Sequence, residues 1–120
     1  MSAEALQEIL QELNAHIEGL EQIAVVKGDG TLITHLRRDV EAPPVEDWAA
    51  ELAGLADDVC RVLDRGANTE ALVKGAERFL AFYRSRDADA LLGIVGLSAV
   101  NFGLLNSGGR NAMRKIEGQL

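Results

Sequence analysis

The sequence predicts an α+β fold in which a helix, a β-hairpin, a long helix, three antiparallel strands and a last helix form a five-stranded antiparallel sheet flanked by helices. Three observations predict it. Apolar residues recur at three- and four-residue steps in three segments, short runs suited to strands lie between those segments, and the joins between the later runs are too short for crossovers. With 120 residues and 48% hydrophobic content, the chain has the size of one domain, residues 1–120, with one packed core.

The first helix follows from Leu6, Ile9, Leu10, Leu13, Ile17 and Leu20, with Glu4, Glu8 and Glu12 on its polar side near the N-terminus, where negative charge suits the helix dipole. Ser2 is its expected cap and Gly19 its expected end, although Leu20 continues the stripe. Two β-branched runs, IAVV and TLITHL, flank Lys27-Gly28-Asp29-Gly30. Glycines beside a strand can cradle a phosphate or turn a hairpin. A phosphate loop leads from a strand into a helix N-terminus, and Thr31 to Leu36 does not read as a helix. Only Gly28-x-Gly30 of a dinucleotide fingerprint is present, so the stretch is read as a hairpin turn without bound cofactor. Arg37 to Pro44 is then a polar connection, and Pro43-Pro44 delays the next helix until Val45.

The predicted second helix runs from Val45 to about Arg65. At about 100° per residue, Val45, Trp48, Ala49, Leu52, Ala53, Leu55, Ala56, Val59, Cys60, Val62 and Leu63 fill an arc of roughly 180°, wider than the stripe of a helix that covers one surface. Such a helix packs on two things: its own sheet, and either its own neighbours or another copy of the chain. Gly66-Ala67-Asn68 ends it. Strands are expected at Thr69 to Lys74, Phe79 to Arg84 and Ala90 to Leu97, with turns at Gly75 and Asp87. The last helix spans Ser98 to Leu120. Asn106-Ser107-Gly108-Gly109 weakens its middle, but Leu104, Gly108, Ala112 and Ile116 keep one face across the glycines, which favours a single helix with Gly108 toward the sheet.

Function classes are excluded as much as suggested. No apolar run reaches the ~18 residues of a membrane span, and the start MSAEALQEIL lacks the basic flank and apolar stretch of a signal peptide, so a soluble cytoplasmic protein is expected. One cysteine, Cys60, and two histidines, His16 and His35, give no disulfide and no metal-ligand spacing. No nucleophile motif surrounds any of them. Asp57-Asp58 and Asp87-x-Asp89 lack the flanking ligands of a calcium loop. A net charge of −7 argues against nucleic acid, although Arg78, Arg84 and Arg86 lie near Phe79, Phe82 and Tyr83, whose better account is core packing. The charge is uneven, with −10 over residues 1–64 and +3 over residues 65–120. Glu46, Asp47, Glu51, Asp57 and Asp58 share the polar side of the second helix, either as a solvated surface or as a face that meets a basic partner.

Several stretches resemble the roadblock (dynein light chain) domain family: IEGLEQIAVVKGDGTLI, and then Asp89-x-Leu91-Leu92, Asn101-x-Gly103-Leu104 and Arg110-x-Ala112-x-x-x-Ile116 within DALLGIVGLSAVNFGLLNSGGRNAMRKIEGQL. Gly108-Gly109 departs from the helix-favouring residues usual there, and Leu20 from the valine that commonly follows the glycine. The resemblance implies an α/β/α-type sandwich that pairs with itself or with another roadblock-like chain through the second helix and the strand after it. That places Trp48, Leu52, Leu55, Ala56, Val59 and Leu72 at the interface. It further implies a non-enzymatic scaffold that regulates a small Ras-like GTPase, with no catalytic residue, cofactor or metal of its own. A small-molecule sensor or a general adaptor in a signalling complex is the alternative.

Overall fold

The computed structural model describes residues 3–38, 43–63 and 68–120. The order is α1 (Ala3–His16), β1 (Leu20–Lys27), β2 (Leu32–Arg37), a 3₁₀ turn (Val45–Asp47), α2 (Ala49–Leu63), β3 (Thr69–Lys74), β4 (Arg78–Ser85), β5 (Ala90–Leu97) and α3 (Phe102–Gln119). All strand pairs are antiparallel, in the order β2-β1-β5-β4-β3. The expected Ser2 cap and the Gly66 helix stop lie outside the described residues.

Strand alternation divides the core into two faces. Ile23, Val25, Phe79, Ala81, Tyr83, Leu92 and Ile94 point to one side, where Leu6, Leu10 and Leu13 of α1 and Leu105, Ala112 and Ile116 of α3 cover them. Ala24, Val26, Phe82 and Leu91 point to the other side and meet Ala49, Leu52, Ala53 and Ala56 of α2. The result is a three-layer arrangement with two helices on one face and one on the other. All three aromatic residues read as packing, Phe79, Phe82 and Tyr83, are buried.

The first hairpin is present as read. Gly30 takes a positive φ of 93°, its amide donates to the Lys27 carbonyl, and the Asp29 carboxylate accepts from Thr31 N–H at 2.9 Å. Hydrogen bonding from the Thr31 side chain, and then from its backbone N–H, holds the Asp29 pKa below its ordinary value. Since Gly28 N–H is spent on the Asp89 carbonyl, the amides of Gly28, Gly30 and Thr31 all have partners within the chain.

Three expectations are corrected. Leu20 continues the apolar stripe of α1 but belongs to β1: Gly19, with φ 93°, turns the chain, and the strand begins three residues before Ile23. A bulge at Glu21 follows, and Glu21, only 8% exposed, is ion-paired with Arg78 at 2.6 Å. The second helix does not start at Val45. Pro44 leads into a 3₁₀ turn, and α-helical geometry begins at Ala49. Finally, α3 is one helix, capped by the Asn101 side chain on Leu104 N–H, but Gly108 does not face the sheet. A Cβ there would meet Ile17 and Leu13 near α1, whereas one on Gly109 would fall 2.5 Å from the Tyr83 ring. The buried stripe is accordingly Leu105, Gly109, Ala112, Met113 and Ile116, with Leu104 exposed.

Candidate interaction surface

Helix α2 begins where the chain is anchored on β1 and β2. The Pro43 carbonyl accepts from Gln22 Nε2 at 2.9 Å and from Trp48 Nε1 at 3.0 Å, which fixes the indole at the head of the helix. His35 on β2 pairs with Glu46 of the 3₁₀ turn at 2.7 Å. The helix then passes over β5, where Gly93 leaves room for Leu52: a Cβ on Gly93 would come within 2.5 Å of Leu52 Cδ2. Near its C-terminal end Cys60 is buried beside Arg84, whose guanidinium also pairs with Asp57 at 3.1 Å.

The broad apolar arc of this helix is split. Ala49, Leu52, Ala53, Ala56 and Cys60 are buried against the chain's own sheet. The neighbouring stripe is not covered: Leu55 is 42% exposed, Leu63 65% and Val62 83%, while Trp48 and Val59 are half-buried. Beside the helix, Val73, Leu80 and Val95 form a row across β3, β4 and β5 on the same side of the sheet. With Trp48, Leu52 and Leu55 they line an apolar groove of about 420 Å³, with Glu51 and Arg78 at its rim. Beyond it, β3 is the outer strand of the sheet and, among the described residues, pairs only with β4. An edge strand next to an exposed apolar helix stripe is a feature that natural proteins usually cover or keep short.

The residues expected at an interface therefore separate. Leu55 lies on the uncovered stripe, and Trp48 and Val59 border it, half-buried against the α2-side core. Leu52 and Ala56, 3% and 0% exposed, face the chain's own core. Leu72 is exposed, but it pairs with Ala81 and so points to the α1/α3 side of the sheet, whereas its neighbour Val73 points to the α2 side. Periodicity on α2 could not tell which half of the arc its own sheet covers. Val73, Leu80 and Val95 were missed because their place beside α2 depends on where the helix lies over the sheet, which periodicity does not report.

All five acidic residues singled out on α2 and its approach, Glu46, Asp47, Glu51, Asp57 and Asp58, are exposed. Three lie against basic side chains: Glu46 against His35, Asp57 against Arg84 and Asp58 against Arg61. Among the described residues no group of three or more His, Cys, Asp or Glu side chains is placed to hold a metal, and no helix is long and apolar enough to cross a membrane.

No protein-family model and no curated protein matches the sequence. Solved structures do match. Gliding protein MglB from Thermus thermophilus superposes with a TM-score of 0.79 at 18% identity, over 96% of this chain and 87% of that one. An MglB in a tetrameric arrangement gives 0.80 at 20% identity, over 98% and 92%. The Roadblock/LC7 domain from Streptomyces avermitilis gives 0.77 at 11% identity, over 93% and 94%. The chain has the roadblock/LC7 fold.

Proposed function

We propose that this chain is a non-enzymatic interaction module that pairs through α2 and β3 with a second copy, or with another chain of the same fold, and that the pair binds and regulates a small Ras-like GTPase. The observation that carries the pairing is the uncovered apolar stripe of α2 beside the open edge of β3. An isologous two-fold contact would cover both with one surface. Support for a GTPase partner comes from the resemblance to roadblock regulators and from the shared fold with MglB. On this reading the chain contributes surface rather than chemistry, and it works in the cytoplasm, where nucleotide-loaded GTPases are found.

The test has two stages. Sedimentation equilibrium at micromolar concentration is expected to show a dimer. Small GTPases captured from the native cell are then loaded with GTP or GDP, and hydrolysis and nucleotide release are followed with and without the module. A change in either rate is expected, and it should disappear when Leu55→Asp has made the module monomeric. A wild-type monomer removes the pairing, and unchanged rates with every captured GTPase remove the regulatory reading.

A further inference from the structure

The sheet has a second free edge. Strand β2 ends it on the side opposite β3 and, among the described residues, pairs only with β1. Edge strands present unpaired backbone groups, which natural proteins usually blunt with proline, an inward-pointing charge or a covering element. The run LITHLR of β2 contains no proline, and the one irregularity of its ladder lies at the Leu32 end, opposite Val25 and Val26. From Thr34 to Arg37 the register is regular. We infer that this edge receives an extended acidic segment of a partner protein, which adds to the sheet as one more strand. The inference concerns the edge opposite the pairing proposed above and does not rest on it.

Backbone alternation says which groups are free. Arg38 N–H donates to the Glu21 carbonyl at 2.9 Å, next to the opposed pair Gln22 and Arg37. Bonded and non-bonded pairs alternate along an antiparallel ladder. Leu36 and Thr34 therefore bond to β1, while the N–H and C=O groups of His35 and Arg37 point outward, where an incoming strand can pair with them. Side chains set the chemistry of that strand. His35 and Arg37 stand opposite Ala24 and Gln22, on the α2 side of the sheet, whereas Leu36 stands opposite Ile23 on the other side, half-buried against the α1/α3 core. Arg37 and Arg38 are exposed and make no ion pair among the described residues, in contrast to Arg61, Arg78, Arg84 and Arg110. Cross-strand neighbours of opposite charge stabilise a strand pair, and like charges destabilise it. The segment that fits alternates a carboxylate beside Arg37 with an apolar residue beside Leu36. A second copy of β2 fits less well, because antiparallel pairing about Leu36 sets each Arg37 beside its mate's His35, basic against basic.

The test follows the backbone amides of the whole chain by isotope-edited NMR. The probe is a short blocked peptide that alternates glutamate with valine, and the control peptide has lysine in place of glutamate. At a glutamate-peptide concentration about ten times its dissociation constant, hydrogen exchange at His35 and Arg37 is expected to slow roughly tenfold, because only the free fraction exchanges. The amides of Thr34 and Leu36, already bonded to β1, should change less, and the lysine peptide should protect neither His35 nor Arg37. Arg37→Gln with Arg38→Gln alters two exposed side chains, so the fold should persist while the glutamate peptide binds roughly tenfold more weakly at low salt. Arg37→Pro removes an outward N–H without removing a bond to β1 and should weaken binding as well. Protection of neither amide at millimolar glutamate peptide overturns the inference, and so does equal binding of the two peptides. Protection that rises with protein concentration in the absence of peptide assigns the edge to a second copy and overturns it too. None of these outcomes touches the pairing through α2 and β3.

Discussion

Gly108 and Gly109 are neighbours in α3 that meet different surfaces, and the difference is measurable. The run Leu104, Gly108, Ala112 and Ile116 pointed to Gly108 as the sheet-facing residue. Because α3 packs on α1 as well as on the sheet, its apolar face is broad, and a glycine carries no hydropathy to say which side of that face it occupies. It is Gly109 that lies against Tyr83, whose hydroxyl donates to the Asn106 side chain at 3.1 Å and to the Leu105 carbonyl at 3.4 Å. That ring is fixed by its bonds and burial. Gly109→Ala is expected to destabilise by about 1–3 kcal/mol as an overpacking change, more than the helix propensity it gains. Gly108→Ala would press only on the flexible ends of Ile17 and Leu13 while gaining about 1 kcal/mol of propensity, so it is expected to be close to neutral. The readout has a second channel, since Tyr83 is the only tyrosine. Burial, with Glu70 nearby and Arg110 opposing, pushes its hydroxyl from an ordinary 10.0 up to about 12. A pKa raised on folding means that the native state holds the proton longer. This contribution to stability is therefore complete below pH 10 and is lost as the pH rises toward about 12. In Gly109→Ala the displaced ring should ionise nearer its ordinary value, seen as phenolate absorbance at lower pH. Equal melting temperatures and equal Tyr83 titrations for the two variants would show that Gly109 is not needed for close approach.

The elements were legible where periodicity and turn chemistry agree. The runs Thr69–Lys74 and Ala90–Leu97 are strands with the expected bounds, and the Lys27-Gly28-Asp29-Gly30 turn sits between β1 and β2. What sequence could not supply was the orientation of α2. Ala49, Leu52 and Ala56 and the stripe at Leu55, Val59 and Val62 have the same chemistry, and only the path of the helix across Gly93 decides which set is inside. That division separates two substitutions that looked equivalent. Leu52 fills the space above Gly93 and is 3% exposed, so Leu52→Ala is expected to cost about 2–5 kcal/mol, the range for a buried leucine. Leu55 is 42% exposed, so Leu55→Asp should leave the unfolding free energy of the single chain within about 0.5 kcal/mol of wild type while weakening association. Denaturant titration at concentrations below the dissociation constant measures the first effect, and sedimentation measures the second. A strongly destabilised Leu55→Asp monomer would mean that the stripe belongs to the chain's own core.

At the scale of the whole molecule, the formal charge of −7 overstates how much acidic surface is available. Sequence placed five carboxylates on the polar side of α2 but could not see Arg84, which reaches Asp57 from β4, or His35, which reaches Glu46 from β2. Of the five, Asp47 and Glu51 have no charged partner among the described residues; Asp47 closes the 3₁₀ turn before α2, and Glu51 lies in the first turn of α2. In that first turn Glu51 serves the helix dipole, a contribution of about 0.3–1 kcal/mol at low salt, which is a sufficient structural reason for its presence. A steering role requires something more. In a two-fold pair the two heads bring four such carboxylates to one side of the assembly, a field that attracts a basic partner surface and is screened over a Debye length of roughly 8–10 Å. Asp47→Asn with Glu51→Gln is therefore expected to lower the association rate of a captured GTPase severalfold at low salt and to flatten its dependence on ionic strength. Asp57→Asn with Asp58→Asn should do less, because arginines already neutralise that pair. Stopped-flow association from low to high salt, with melting temperatures checked in parallel, decides the matter. If wild type and both double variants associate at the same salt-independent rate, the head of α2 is charged for the sake of its helix alone.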